Sequence, residues 1–506
     1  MTSDLAQLVL ILYYSTLGVL AVYGGHRLVL VVLYFRTRHL SAPVPPEPEI
    51  WPRVTVQLPL YNELYVAERL IRAVGELDYP RDRLQIQVLD DSNDETREIV
   101  ARTVARLHSR GIDIEHIRRP DRTGFKAGAL EYGLGTATGE LVAIFDADFV
   151  PHPSYLREIV PYLADAEGRD LGMVQACWEH LNRDYSLLTR IQAIFLDGHF
   201  LVEHAARNRS GCFFNFNGTA GIWRRQAIVD AGGWQHDTLT EDLDLSYRAQ
   251  LAGWRFLFLP DLKVSAELPV EINAFKRQQF RWAKGSIQTA RKLLPTILKA
   301  PIDWRIKAEA FVHLTNNASY LLMVLLSVLV FPAMVFRRGS PVTSLLTIDL
   351  PLFLCATVSV LAFYATSQLS ARGGGRLRQL VPLMGLGIGL GINNSRAVLQ
   401  GLMKDVGVFE RTPKYRIESR NDKWRTKKYR VRANLGTVLE GLLAGWFVIA
   451  FLLAWQWGMW SSLPFLYLFL QGYCYMYALS MVSSGFGASL TTRPAVVPAP
   501  LDGGGP

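Results

Sequence analysis

Between Glu440 and Arg493 the sequence contains no Asp, Glu, Lys or Arg, whereas residues 51–300 carry charges throughout. A stretch of that length without charge exceeds the roughly 20 apolar residues a helix needs to cross the hydrocarbon of a bilayer. The chain is therefore read as part membrane and part water-soluble domain, and its 506 residues suffice for two to four units of ordinary size.

Five segments have the length and apolarity of a span: Leu5 to His26, Val312 to Phe336, Leu350 to Leu369, Gly441 to Trp460 and Leu463 to Ser484. The first reads as an uncleaved anchor, too long for a signal peptide. A sixth candidate, Leu377 to Met403, is interrupted by Asn393, Asn394, Ser395 and Arg396. After it, Lys404 to Arg432 holds eleven basic residues against four acidic ones, which the positive-inside rule assigns to the cytoplasm. A full crossing by residues 377–403 would put that loop outside, so a re-entrant or interfacial helix is expected, with the charged domain also cytoplasmic. The expected layout is an anchor at 1–40, a catalytic domain at 50–270, interfacial amphipathic helices at 271–305, a helix pair at 306–370, the re-entrant element and basic loop at 377–432, a second pair at 437–485, and a disordered tail at 486–506.

The net charge of +9 is accounted for by cytoplasmic loops beside anionic lipid, and no nucleic-acid motif competes. Cys177, Cys212, Cys355 and Cys474 have no paired spacing, which argues against a disulfide framework or a zinc site.

Within the soluble part, short β-branched runs at Val54–Leu58, Ile86–Asp90, Ile114–Ile117, Val142–Asp146 and Met173–Ala176 alternate with helical patterns such as Val66, Leu70 and Val74. Alternation of this kind predicts a mostly parallel sheet flanked by helices, with ligands at the carboxyl ends of the strands. Asp146-Ala147-Asp148 follows one strand, and its oxygen donors suit Mg²⁺ or Mn²⁺, although a solvated turn has the same signature. Asp90 and Asp91 end an earlier strand, where a carboxylate could receive a nucleotide or cap a helix. Lys126 enters a helix after Gly124 and is either a phosphate ligand or a surface lysine. Thr240-Glu241-Asp242 begins another helix; Asp242 there is a candidate general base for an acceptor hydroxyl, or simply a capping residue. Gln278, Arg281 and Trp282 share a helix face and offer a diphosphate clamp and a sugar-stacking ring, or else interface anchors.

Taken together, Leu89-Asp90-Asp91-Ser92, Lys126-Ala127-Gly128, Asp146-Ala147-Asp148, Thr240-Glu241-Asp242 and Gln278-x-x-Arg281-Trp282 resemble, in order and spacing, the processive family-2 inverting glycosyltransferases that make β-linked polysaccharides. The stretches Gln57 to Glu63, Gly198-His199-Phe200-x-x-Glu203, Phe214 to Gly221 and Gly232-Gly233-Trp234 resemble the cellulose-synthase-like branch of β-1,4-mannosyltransferases and β-glucan synthases. The resemblance implies a GT-A domain fused to an all-α transmembrane domain. It implies Asp242 and Glu241 as catalytic residues, Asp91, Lys126, Asp146, Gln278, Arg281 and Trp282 around the donor, and Asp146 and Asp148 on Mg²⁺ or Mn²⁺. Trp282, Asn217, Gly218 and Thr219 would face the acceptor. Phe409 to Lys414 resembles the family's gating loop, with Phe409, Thr412 and Lys414 matching and Arg411 standing where valine is usual.

The activity so implied is processive transfer of hexosyl units from UDP-glucose or GDP-mannose to a growing β-glucan or β-mannan, at the plasma (inner) membrane, with translocation of the product. Transfer of a single sugar to a membrane lipid, as in ceramide glucosyltransferases, is the alternative. The expected partners are the nucleotide-sugar donor, the polysaccharide acceptor and the lipid bilayer, without nucleic acid.

Overall fold

A computed structural model describes residues 2–165, 168–338, 348, 350–371, 377–403, 407, 409–424, 427–428 and 435–483. The expected tail at 486–506 and part of the basic loop lie outside these residues.

The soluble domain is built on seven strands: β1 (Val54–Leu60), β2 (Leu84–Asp90), β3 (Ile114–Ile117), β4 (Leu141–Ile144), β5 (Leu171–His180), β6 (Gly221–Arg224) and β7 (Arg255–Ala266). They lie in the order β3-β2-β1-β4-β6-β5-β7. All adjacent pairs are parallel except those that β6 makes with β4 and β5. The five expected strands are present. The two that periodicity missed are short or mixed: Gly221-Ile222-Trp223-Arg224 offers only four residues, and β7 carries Pro260 and Asp261 mid-strand.

Central strands covered on both faces should be apolar throughout, and Val54, Val56 and Leu58 on β1 and Leu141 to Ile144 on β4 are fully buried. One core lies under the Ala67–Gly75, Thr96–His108 and Tyr155–Ala164 helices, and a second on the other face under Phe125–Leu134 and Arg225–Asp230. The chain leaves β1 toward β2 on one side and returns to β4 on the other. Between the carboxyl ends of β1 and β4 that reversal opens a crevice.

Among the described residues, five helices are long and apolar enough to cross a membrane: Asp4–Thr37, Trp304–Phe336, Pro351–Ser370, Gly436–Gln456 and Trp460–Ser483. They match the five expected spans and form a helical membrane part. Residues 377–403 fold as two shorter helices, Leu380–Gly389 and Gly391–Leu402, rather than one continuous rod. The amphipathic helix Ile272–Lys299 runs between the two parts. Lys276 ties it to the membrane helices: its ammonium lies 2.6 Å from Glu440 Oε1 and 2.7 Å from Ser480 Oγ, all three side chains being buried.

Candidate active site

The Asp146-Ala147-Asp148 turn follows β4 directly, and the Asp146 amide donates to Thr219 Oγ1 at 2.9 Å, which fixes its direction. Gly124 takes a left-handed backbone conformation (φ +72°), reserved chiefly for glycine, and so starts the Phe125–Leu134 helix with Lys126 in its first turn. Lys126 Nζ lies 2.6 Å from Asp146 Oδ1 and 3.8 Å from Glu241 Oε1, and it donates to the Gly218 carbonyl at 2.9 Å. Gly218 is also left-handed (φ +79°), and a Cβ there would stand 3.0 Å from Asp242 Oδ2. Glu241 and Asp242 open the Glu241–Leu251 helix, where Asp242 Oδ1 accepts the Leu243 amide at 2.8 Å. The base candidate, the lysine and the first aspartate of the pair thus meet around one glycine.

Burial pushes the Asp242 carboxyl up to about 7, and the neighbouring Glu241 charge adds to the rise while Lys126 opposes it. Lys126 is itself buried, which disfavours its charge, but Asp146 and Glu241 outweigh that and raise its pKa. A carboxylate poised near neutrality beside a lysine whose charge is favoured by its acidic neighbours has the properties of a general base next to an anion site.

The other expected residues converge on the same crevice. Asp91, at the end of β2, lines it and is gripped by Arg119 through Nε at 3.0 Å and Nη2 at 2.5 Å. Asp90 is instead buried, bonded to the Ser92 amide and His116 Nε2 at 2.9 Å each; neither aspartate caps the helix that follows, whose N-cap is Glu95. Gln278, Arg281 and Trp282 face the crevice from the Ile272–Lys299 helix. That helix comes close because Gly285 lies against Thr240: a Cβ on Gly285 would meet Thr240 Cγ2 at 2.5 Å. Phe409, Thr412 and Lys414 also line the crevice.

A second cavity opens beyond the first and shares with it Trp178, Asn217, Asp242, Gln278 and Trp282. Its far wall includes Arg27 of the first membrane helix together with His199 and Glu203, from a π-helical turn (Gly198–His204), a feature that often marks functional sites. His199 Nε2 lies 2.8 Å from Asn217 Oδ1. A third cavity, among the membrane helices, shares Arg27, Asn316, Tyr320 and Tyr364 with the second.

Thr219 departs from the expectation of an acceptor contact. It is fully buried and its hydroxyl is used by the Asp146 amide, so it supports the turn from behind. Sequence reasoning gave no role to Tyr61, Glu63, Arg122, Trp178, His180 or Glu267, all of which line the crevice. Tyr61 and Glu63 follow β1 directly, and the rule that strand ends bear ligands could have found them. Arg122, whose guanidinium sits 3.4 Å from the centre of the Tyr61 ring, carries no comparable signal.

For a divalent cation the chain offers Asp146 and Asp148 on one turn, each holding a lysine by one oxygen: Lys126 on Asp146 Oδ1 and Lys414 on Asp148 Oδ2, both at 2.6 Å. Among the described residues no group of three or more His, Cys, Asp and Glu forms a closed metal cluster. Two carboxylates in an open pocket fit a hard cation that completes its shell with substrate phosphate and water.

A mixed, mostly parallel seven-stranded sheet with acidic motifs at its strand ends, joined to a helical membrane part, has a GT-A-like architecture. The same fold is found in a mannosyltransferase from Pyrobaculum calidifontis solved with GDP-Man and Mn²⁺, which superposes with a TM-score of 0.53 at 24% identity over 71% of this chain and 98% of that one. Residues 52–285 match the model described as "Glycosyltransferase like family 2". Across 254 residues it is 46% identical to the probable glucomannan 4-beta-mannosyltransferase 7 of Oryza sativa subsp. japonica, covering 49% of this chain and 43% of the relative. Across 289 residues it is 44% identical to glucomannan 4-beta-mannosyltransferase 2 of Arabidopsis thaliana, covering 55% and 54%. The matched region thus spans about half the length of these curated relatives.

Proposed function

We propose that the chain is a membrane-embedded, inverting hexosyltransferase that extends a β-1,4-linked mannan or glucomannan from a nucleotide sugar, with GDP-mannose the first donor to test and UDP-glucose the second. The observation that carries the reading is the position of Asp242 at the junction of two cavities, one lined by Asp91, Asp146, Lys126 and Arg281, the other by Asn217, His199 and Trp282. The donor lies in the first, its diphosphate facing Lys126 and Arg281, and the end of the glycan enters from the second against Trp282. Asp242 takes the proton of the acceptor hydroxyl as its oxygen attacks the anomeric carbon from the face opposite the diphosphate. The new glycosidic bond forms as the bond to the diphosphate breaks, and a single displacement inverts the configuration. A Mg²⁺ or Mn²⁺ ion on Asp146 and Asp148 would supply charge neutralisation for the leaving diphosphate.

The third cavity supports passage of the product between the membrane helices, since it continues the second at Arg27 and Tyr320. The two short helices at residues 380–402 support the re-entrant reading. The segment after them reaches the crevice through Lys414, which supports reading that end as lying on the side of the soluble domain, and its basic charge supports that side being cytoplasmic.

The test is to incubate the purified protein in nanodiscs with radiolabelled GDP-mannose or UDP-glucose and Mn²⁺, and to analyse products by size and by β-1,4-mannanase or β-1,4-glucanase digestion. Long, mannanase-sensitive product that disappears with chelator is expected. A single-sugar product partitioning into lipid would overturn processive synthesis, and chelator-insensitive transfer would remove the cation from Asp146 and Asp148.

A further inference from the structure

The segment from Phe409 to Lys414 is held over the donor crevice by several contacts of different kinds. Phe409 stacks on Phe125 with ring centres 6.0 Å apart, and the Arg281 guanidinium lies 4.4 Å from its centre. Arg281 Nη1 donates to the Glu410 carbonyl at 3.1 Å. Lys414 reaches Asp148 and the Glu267 carbonyl. Arg411, the residue that departs from the family pattern, places Nη1 2.9 Å from Glu63 Oε2, and the two side chains are only 13% and 12% exposed.

These contacts differ in what donor binding does to them. Asp148 is a cation ligand and Arg281 a diphosphate ligand in the proposed reaction, so their grip on the segment is shared with the substrate. Glu63, though it also lines the crevice, is neither cation nor diphosphate ligand in that reaction. Its support is rigid: Asn62, in a left-handed conformation (φ +54°), accepts hydrogen bonds from the Asn93 amide at 2.9 Å and donates its own amide to Ser92 Oγ at 2.8 Å, joining the end of β1 to the end of β2. We infer that the Arg411–Glu63 pair is the positioning latch that keeps the 409–414 segment over the loaded donor, leaving Lys414 able to pass from Asp148 to the diphosphate. The inference rests on the proposed donor site. The pair acts on the segment and not on the reacting atoms; because it is largely desolvated, Glu63→Gln leaves the Arg411 guanidinium buried without its counter-charge.

The experiment compares wild type with R411V, which restores the usual family residue, E63Q and the charge-reversed E63R/R411E in nanodiscs. Apparent donor KM, kcat at saturating donor, and the thermal shift produced by GDP or UDP with Mn²⁺ are measured for each. Each single variant is expected to raise donor KM by about tenfold, in line with the coupling of close, desolvated charge pairs, while kcat stays within about twofold. The reversed pair is expected to recover most of the loss. R411V and E63Q with wild-type KM, or a reversed pair no better than the single variants, would overturn the latch. Should R411V fail to fold, as judged by its elution and melting, E63Q decides by the same KM. Wild type that shows neither a shift with nucleotide nor transfer refutes the donor site itself, a result distinct from an intact KM in the variants.

Discussion

As the proposed base, Asp242 must be ionised to accept a proton, and its carboxyl is raised by burial and by Glu241 to about 7. With that value the basic form falls from about nine tenths at pH 8 to about one tenth at pH 6, so kcat/KM for transfer should drop by roughly tenfold across that interval. An aspartate at its ordinary value near 4 would give no change there. The causes fix the direction in which variants move the limb. Glu241→Gln removes a charge that opposes ionisation, so its limb should shift to lower pH; Lys126→Met removes one that favours it, so its limb should shift to higher pH. Both variants should lose activity at every pH, because both residues line the proposed donor crevice, and only the midpoint is read. The assay is initial-rate transfer from radiolabelled donor at subsaturating concentration between pH 5.5 and pH 9, in buffers of constant ionic strength. A profile flat from pH 6 to pH 8, or a midpoint that rises in Glu241→Gln, would refute the assignment of this carboxylate and its electrostatic origin.

Asp242→Asn should abolish transfer while nucleotide still binds, as read by thermal shift with GDP or UDP. The sign of its effect on stability follows from the same rise. A carboxyl whose folded pKa exceeds its unfolded one leaves stability intact below the unfolded value and erodes it as pH climbs through the folded one, so the variant should melt higher than wild type at pH 8 and equally at pH 4. Gly218→Ala strains a left-handed position and puts a methyl 3.0 Å from Asp242 Oδ2 and 3.3 Å from Lys126 Nζ; kcat should collapse in a protein that still elutes as a folded species. Lys276→Met strands the buried Glu440 charge and should cost about 3 kcal/mol, seen as earlier thermal unfolding in detergent, with Lys276→Met/Glu440→Met recovering most of it.

The soluble domain and its crevice were legible where local pattern and chemistry coincide. β-branched runs ending in aspartate located β2 and β4, and a Gly-rich entry located the helix that carries Lys126. Charge-free runs located the membrane helices. What escaped depends on contacts distant in sequence. Arg122 enters the crevice through a loop with no periodic signal, and Glu267 arrives at the end of a strand disguised by Pro260 and Asp261. Thr219 reads as part of a substrate-facing motif, yet tertiary packing turns it inward to carry the Asp146 turn. At Arg411 the mismatch with valine was visible in the sequence, but its meaning depends on Glu63, which lies far upstream at the end of β1.

The tie from Lys276 to Glu440 and Ser480 joins the helix bearing Gln278, Arg281 and Trp282 to two spans of the bundle. A bilayer thinner or thicker than those spans prefer is accommodated by tilt, and a tilt at Glu440 moves the anchor of the same helix that Gly285 seats against Thr240. Turnover should therefore vary with the acyl-chain length of the surrounding lipid, and the Lys276→Met/Glu440→Met variant should lose that dependence.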